Sequence, residues 1–315
     1  MVLVALAALA LIALLPASAA ADGLPAVGID ARPLSTPGGD VEYTTERAGP
    51  DTRLIESARY GGPLRRHTLK GSFSIPAVAY DGSPSGLSPD ARTLVLISPR
   101  TRYPRRRTTF AVVNARRLAV RRLVHLRGDF SFDALSPDGR VMYLIQYSPR
   151  DFSNYAVRAY DLGARRLFPK PVVDPREADE PMTGAPVTRV ASPDSRWAYT
   201  LYDSAPHPFV HALDTARRTA VCIDLDAIRG GMWGATLQLH GPTLTVVGRR
   251  GRVLATIDTR THRLIADPEP ASEDAATSWL PIAVPTAALL LLSVALTRRR
   301  RLYRTQRESG PTLPA

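Results

Sequence analysis

The sequence predicts an all-β protein, a β-propeller of about five and at most six four-stranded blades, with one transmembrane helix near the C-terminus. Three observations predict it. A turn-and-strand pattern recurs in GLSPDARTLVLIS (86–98), ALSPDGRVMYLIQY (134–147) and VASPDSRWAYTLYD (190–203). Each copy is followed by a second repeated unit, FAVVNARRLAV (110–120), YAVRAYDLGARRL (155–167) and FVHALDTARRTAV (209–221). Between the chain ends there is almost no amphipathic helical pattern; the segments are short, rich in Val, Leu, Tyr and Thr, and broken by Pro and Gly. The turn prolines Pro89, Pro137 and Pro193 stand 48 and 56 residues apart, which is the size of one four-stranded blade.

Each element has a local reason. In the SPD turn, Ser takes the first corner, Pro presets φ at the second, and Asp follows. A strand precedes the turn (FSFDAL, PVTRVA) and another leaves it (RVMYLIQY, RWAYTLY). The second unit reads as strand, tight turn and strand. A worn fourth copy lies in LQLHGPTLTVV (237–247) and RVLATIDTRTHRLI (252–265), and an incomplete fifth in VEYTTER, TRLIESAR and LRRHTLKG (41–71). The pattern resembles the YVTN/lactonase-like and TolB-type propeller repeats, and more broadly WD40-like repeats. There SPDG marks the hairpin and a D-x-x-T/R element marks the later strands. The resemblance covers about 40–268 and implies a propeller with a binding platform. The blade count departs from it, because the commonest members have seven blades. Calcium-dependent lactonase propellers use asparagine-rich channel ligands, whereas this chain has only Asn114 and Asn154.

The two ends give an address. Residues 2–15 are apolar and run into Pro16 and ASAAA (17–21), a signal peptide over 1–21 with cleavage after Ala19 or Ala21. A leader (22–40), the propeller (41–268) and a linker (269–278) follow. Residues 279–297 are uncharged and long enough to cross a bilayer. Trp279 suits the outer interface, and the arginines opening the tail (298–315) suit the cytoplasmic side. The expected protein is therefore single-pass in the cell membrane, with an extracytoplasmic N-terminal domain and a cytoplasmic C-terminus. A formal net charge of +12 on 315 residues would ordinarily suggest nucleic acid, but the secretory address argues against it and no nucleic-acid partner is expected.

The first strand of each blade lines the channel, and Ser85, Asp133 and Arg189 stand four residues before their turn prolines. Period-two alternation puts these polar residues on one face, as channel lining or as a ligand site at the mouth. A second candidate is the loop VVDPREADEPMTG (172–184), where Asp174, Glu177, Asp179 and Glu180 concentrate acid in a basic chain. Oxygen ligands of this kind hold Ca²⁺ elsewhere, but the spacing is not that of an EF-hand, and a solvated loop is the simpler reading. His207 and His211, if on one strand, would stand roughly 13 Å apart, too far to share an ion. Cys222, the single cysteine, reads as a small strand residue rather than a catalytic thiol. No metal, cofactor or catalytic residue is assigned. The expected function is a membrane-anchored, non-catalytic binding or scaffold module for a protein or an anionic envelope polymer. The alternative is a propeller-type hydrolase or lactonase with its site at the central channel.

Overall fold

The computed structural model describes residues 31–266, apart from 102, 150–153 and 181. The signal peptide, linker, membrane span and tail assigned from sequence lie outside the described residues. No described helix is long and apolar enough to cross a membrane.

The described residues are all-β and form five antiparallel sheets, each in chain order. The first holds β1 (Leu34–Ser35), β2 (Val41–Ala48), β3 (Asp51–Ala58) and β4 (Pro63–Leu69). The second has three strands, β5 (Thr93–Ile97), β6 (Arg107–Asn114) and β7 (Ala119–Arg127). The third comprises β8 (Phe130–Leu135), β9 (Val141–Tyr147), β10 (Tyr155–Asp161) and β11 (Arg166–Leu167). The fourth comprises β12 (Ala185–Ala191), β13 (Trp197–Asp203), β14 (Phe209–Asp214) and β15 (Thr219–Asp224). The fifth comprises β16 (Thr236–His240), β17 (Thr243–Val247), β18 (Val253–Asp258) and β19 (Arg263–Ala266). Successive four-stranded meanders of this kind resemble the blades of a β-propeller. The incomplete copy at 41–71 becomes a full sheet because β1, from within the leader, pairs with β2.

Both repeated turns are closed by their own side chains. In the SPD turns the hydroxyls of Ser88, Ser136 and Ser192 donate to Asp90, Asp138 and Asp194 at 2.6, 2.6 and 2.5 Å. The same hydroxyls accept the amides of Thr93, Val141 and Trp197, each at 2.9 Å. One serine thus satisfies the two ends of a tight hairpin, which is why this tripeptide recurs. In the second unit Asp161, Asp214 and Asp258 each accept amides from the turn that follows, such as Ala216 and Arg217 on Asp214, both at 3.0 Å. Arg165, Arg218 and His262 then take positive φ to complete the turn.

Four apolar layers hold successive sheets together. Leu54, Leu94 and Val113 pack the first sheet on the second, and Phe110, Phe132 and Met142 the second on the third. Tyr143, Tyr202 and Leu213 join the third to the fourth, and Leu201, Leu244 and Ile257 the fourth to the fifth. Each fully buried side chain of this size stabilises by roughly 1.5–3 kcal/mol.

The second sheet departs from the four-stranded expectation, and the reason positions the site. Ser74 bridges Ile97 and Leu87 bridges Leu94, so both ends of an innermost strand are in place. The residues between them leave the sheet as a hairpin, with Ala77 opposite Pro84 and the Ser85 amide donating to the Pro76 carbonyl at 3.1 Å. Gly86 (φ 117°) closes its base, where a Cβ would stand 2.5 Å from the Val95 carbonyl oxygen. The hairpin packs Val78 against Phe130 and Phe132 of the third sheet and reaches β12 with its backbone: the Tyr80 and Asp81 amides donate to the Pro186 and Val187 carbonyls at 2.8 and 3.1 Å. Its tip also meets Arg32, whose amide donates to Gly82, and Trp233, whose ring lies edge-on to Tyr80 at 5.1 Å. Segments before β1 and β16, together with β12, therefore converge on residues 76–85. The hairpin occupies the middle of the sheets.

Candidate functional site

The innermost strands β8 and β12 bring two of the predicted channel residues together. β8 is buried along its whole length, and a register shift between Phe132 and Ala134 releases Asp133 from strict pairing. The Arg189 guanidinium forms a buried ion pair with the Asp133 carboxylate, with side chains 6% and 3% exposed. It also donates to the Asp133 carbonyl at 2.7 Å and the Thr200 hydroxyl at 2.9 Å. The third channel residue is placed differently. Ser85 stands at the base of the hairpin, and among the described residues no hydrogen bond joins it to Asp133 or Arg189.

The centre has little room. The cavity between Ala77, Val78, Asp133, Tyr147, Tyr155 and Tyr202 has a volume of about 20 Å³, about that of a single water molecule. Burial, with the Asp133 charge adding to it, pushes the Tyr202 hydroxyl well above its ordinary pKa. Arg189 holds Asp133 through Oδ1, Oδ2 is buried without a hydrogen-bond partner, and the space beside them is too small for a substrate.

A larger cavity, about 710 Å³, opens where the third and fourth sheets meet. Its wall is built by Tyr147 from β9, Tyr155 from β10 and Phe209 from β14, and its rim by the connection between β11 and β12. All four acidic-loop residues, Asp174, Glu177, Asp179 and Glu180, line it. The loop is folded onto the fourth sheet rather than free. Val172 is buried and bonds back to Val157, and the buried Asp174 accepts the Cys222 amide at 2.9 Å.

Asp174, Glu177 and Cys222 approach one another closely enough to share an ion. Asp174 is already engaged, however, because Arg176 donates to both of its oxygens at 3.1 Å through Nε. Burial works to raise the Asp174 carboxyl, but these bonds outweigh it and hold the group below its usual range. A metal there would have to displace a guanidinium. Burial raises the Glu177 carboxyl, and it raises the Cys222 thiol much further, so the thiol is held as a poor nucleophile.

His211 is 2% exposed on β14 and lines the same cavity. Among the described residues its ring nitrogens have no hydrogen-bond partner. Burial lowers its pKa to about 4, so the ring is neutral at physiological pH. His207 precedes β14 and lies 3.1 Å from Asp226 and 3.8 Å from Asp224, an arrangement of surface charge and not of metal ligands.

The third feature is a band of arginine on the outermost strands of the first two sheets. β4 (PLRRHTL) is exposed from Pro63 to Thr68, and β7 (AVRRLVHLR) exposes Arg121, Leu123, His125 and Arg127 at alternate positions. Neither strand contains an acidic residue. The turn before β7 adds exposed Arg116 and Arg117, and Arg65 reaches across to the Arg116 carbonyl. Sequence reading saw the net charge but not this band, because its members come from two sheets.

No protein-family model and no curated protein matches the chain. Among solved structures it is similar to TolB from Acinetobacter baumannii (17% identity, TM-score 0.42, 71% of this chain and 51% of that one). It is also similar to a putative TolB from Agrobacterium tumefaciens (13% identity, TM-score 0.44, 75% and 78%). A third is the β-propeller domain of Myceliophteria thermophila Cps50 (Swd1) (13% identity, TM-score 0.44, 73% and 67%). The chain spans about half the length of the Acinetobacter protein. Likeness of this degree says nothing of activity.

Proposed function

We propose that the chain is a five-bladed propeller, held at the cell membrane by residues 279–297 and facing outward, that binds an anionic envelope polymer without catalysis. The observation that supports this reading is the acid-free band on β4 and β7. Alternate residues on a strand stand roughly 7 Å apart. Arg121 and Arg127 therefore bracket an extended stripe that a chain of repeating phosphates or carboxylates can follow. Charges on an outer edge attract a polyanion at low salt and are screened beyond a Debye length of about 10 Å at 0.1 M. A globular protein partner would be expected to bury an apolar centre, and this band offers only Leu64, Val120 and Leu123 as large exposed apolar side chains. The hydrolase alternative would need a cavity at the channel, where about 20 Å³ is present.

The test is binding of long-chain polyphosphate to the full chain across a salt series. Affinity falls steeply as salt rises. Exchanging Arg66, Arg121 and Arg127 for glutamine weakens binding at least about tenfold at low salt and flattens the salt dependence. Arg65 is left in place because it pairs with the buried Glu56. Affinity that is indifferent to salt or to these three exchanges would defeat the reading.

A further inference from the structure

The cavity between the third and fourth sheets has no part in polyanion binding, and its chemistry is of the opposite sign. In a chain with 41 Lys and Arg against 29 Asp and Glu, its lining contains no lysine or arginine among the described residues. It contains instead Asp174, Glu177, Asp179, Glu180 and, across the opening on β15, Asp224. Asp174 is matched by Arg176 and Asp224 faces His207 at 3.8 Å, while among the described residues Glu177, Asp179 and Glu180 form no ion pair with a lysine or arginine.

Beneath the acids the wall is aromatic. Tyr147 already carries the Arg100 guanidinium 5.3 Å from its ring centre, Tyr155 lies 5.8 Å from Tyr147, and Phe209 stacks on Tyr202 at 5.0 Å with an interplanar angle of 5°. Phe209 is half-buried, with one face packed on Tyr202. The faces of such rings carry negative potential and attract a cation that has lost part of its water. At the base, the neutral and buried His211 has a ring nitrogen without a protein partner and can accept a hydrogen bond from an N–H donor. This polar atom is a second observation, independent of the acids, that points to a ligand. A buried imidazole is rarely left unpaired unless something else reaches it.

We propose that this cavity binds a small organic cation, a compound bearing an ammonium or guanidinium group. The carboxylates at the mouth draw the cation in, the rings of Tyr155 and Phe209 cover its alkyl or planar part, and His211 takes a hydrogen bond from its donor. A volume of about 710 Å³ accommodates a molecule of that size with room for its alkyl chain. An anionic ligand meets Glu177, Asp179 and Glu180 at the mouth. A bare divalent ion finds Asp174 occupied by Arg176 and gains nothing from the aromatic wall.

The experiment is calorimetric titration of the full chain with agmatine, putrescine and choline, with citrate, trehalose and Ca²⁺ as comparisons. At least one of the three amines binds with a dissociation constant of about 1 mM or tighter, and citrate and trehalose do not bind. The double exchange Glu177→Gln and Glu180→Gln weakens that amine roughly fivefold or more. Phe209→Leu weakens it while leaving the charge unchanged. The Arg66, Arg121 and Arg127 glutamine variant binds it as the parent does, which separates this site from the polyanion surface. Failure of all three amines overturns the proposal. So does binding of Ca²⁺ with no amine, or an amine affinity unmoved by the carboxylate exchange in protein whose circular dichroism is that of the parent.

Discussion

Exchanging Asp133 for alanine destabilises the fold by about 3–5 kcal/mol, because the Arg189 guanidinium is then left charged and unpaired in the interior. The side chains of the pair are 3% and 6% exposed. The Arg189→Met exchange costs a similar amount from the other side, leaving a buried carboxylate. The two do not add: the Asp133→Ala, Arg189→Met double variant is less destabilised than the sum of the singles by at least about 2 kcal/mol. Urea unfolding, followed by the fluorescence of Trp197 and Trp233, measures all four corners of the cycle. Singles that cost under about 1 kcal/mol, or that add, would show that the two strands are not joined by this pair.

The second large effect is expected at Asp129, where one carboxylate holds two buried arginines. Asp129 Oδ1 accepts Arg100 Nε at 3.2 Å and Arg105 Nε at 3.1 Å, and Oδ2 accepts the Arg105 amide at 3.0 Å. Arg105 goes on to donate to the Ser98 carbonyl at 2.8 Å and to the Phe130 carbonyl. The carboxylate thereby ties the connection before β6 to the start of β8. Burial, with Arg100 nearby, lowers the Arg105 pKa to about 10, which reflects how much this site depends on its one anion. Asp129→Asn keeps the shape and removes the charge, and it is expected to cost about 3–5 kcal/mol in the same unfolding assay. Asp129→Ala costs at least as much, since the Arg105 amide also loses its acceptor. A cost for Asp129→Asn no larger than that of a surface exchange would contradict the network.

The repeated elements were legible because their signals are local. Ser, Pro and Asp in one turn supply its φ, its hydroxyl and its acceptor, and the structure uses all three at Ser88, Ser136 and Ser192. Alternation along FSFDAL and PVTRVA led to the expectation that Asp133 and Arg189 share one face. It could not show that they neutralise each other, because that contact joins residues 56 apart in sequence. The acidic loop was legible as an irregular segment rich in carboxylates. Its docking through Asp174 to the Cys222 amide, 48 residues away, was not. The hairpin at 76–85 carried one readable signal, the turn-forming Asp81-Gly82. Its bridge from Ala77 to Pro84 was not foreseen, and neither was its path to β12, which depends on Tyr80 and Asp81 finding the carbonyls of Pro186 and Val187. The arginine band was invisible for the same reason, since adjacency of β4 and β7 belongs to the packing of sheets.

A non-catalytic role turns on whether the centre is filled, and native-state hydrogen exchange of the full chain reads this directly. The amides to follow are those of Tyr80 and Asp81, which donate to β12. A hairpin seated in the middle of the sheets protects them about as strongly as the amides of β12 itself. Exchange at the rate of an exposed turn would mean that the hairpin does not fill the centre, and the channel would again have room for a reaction.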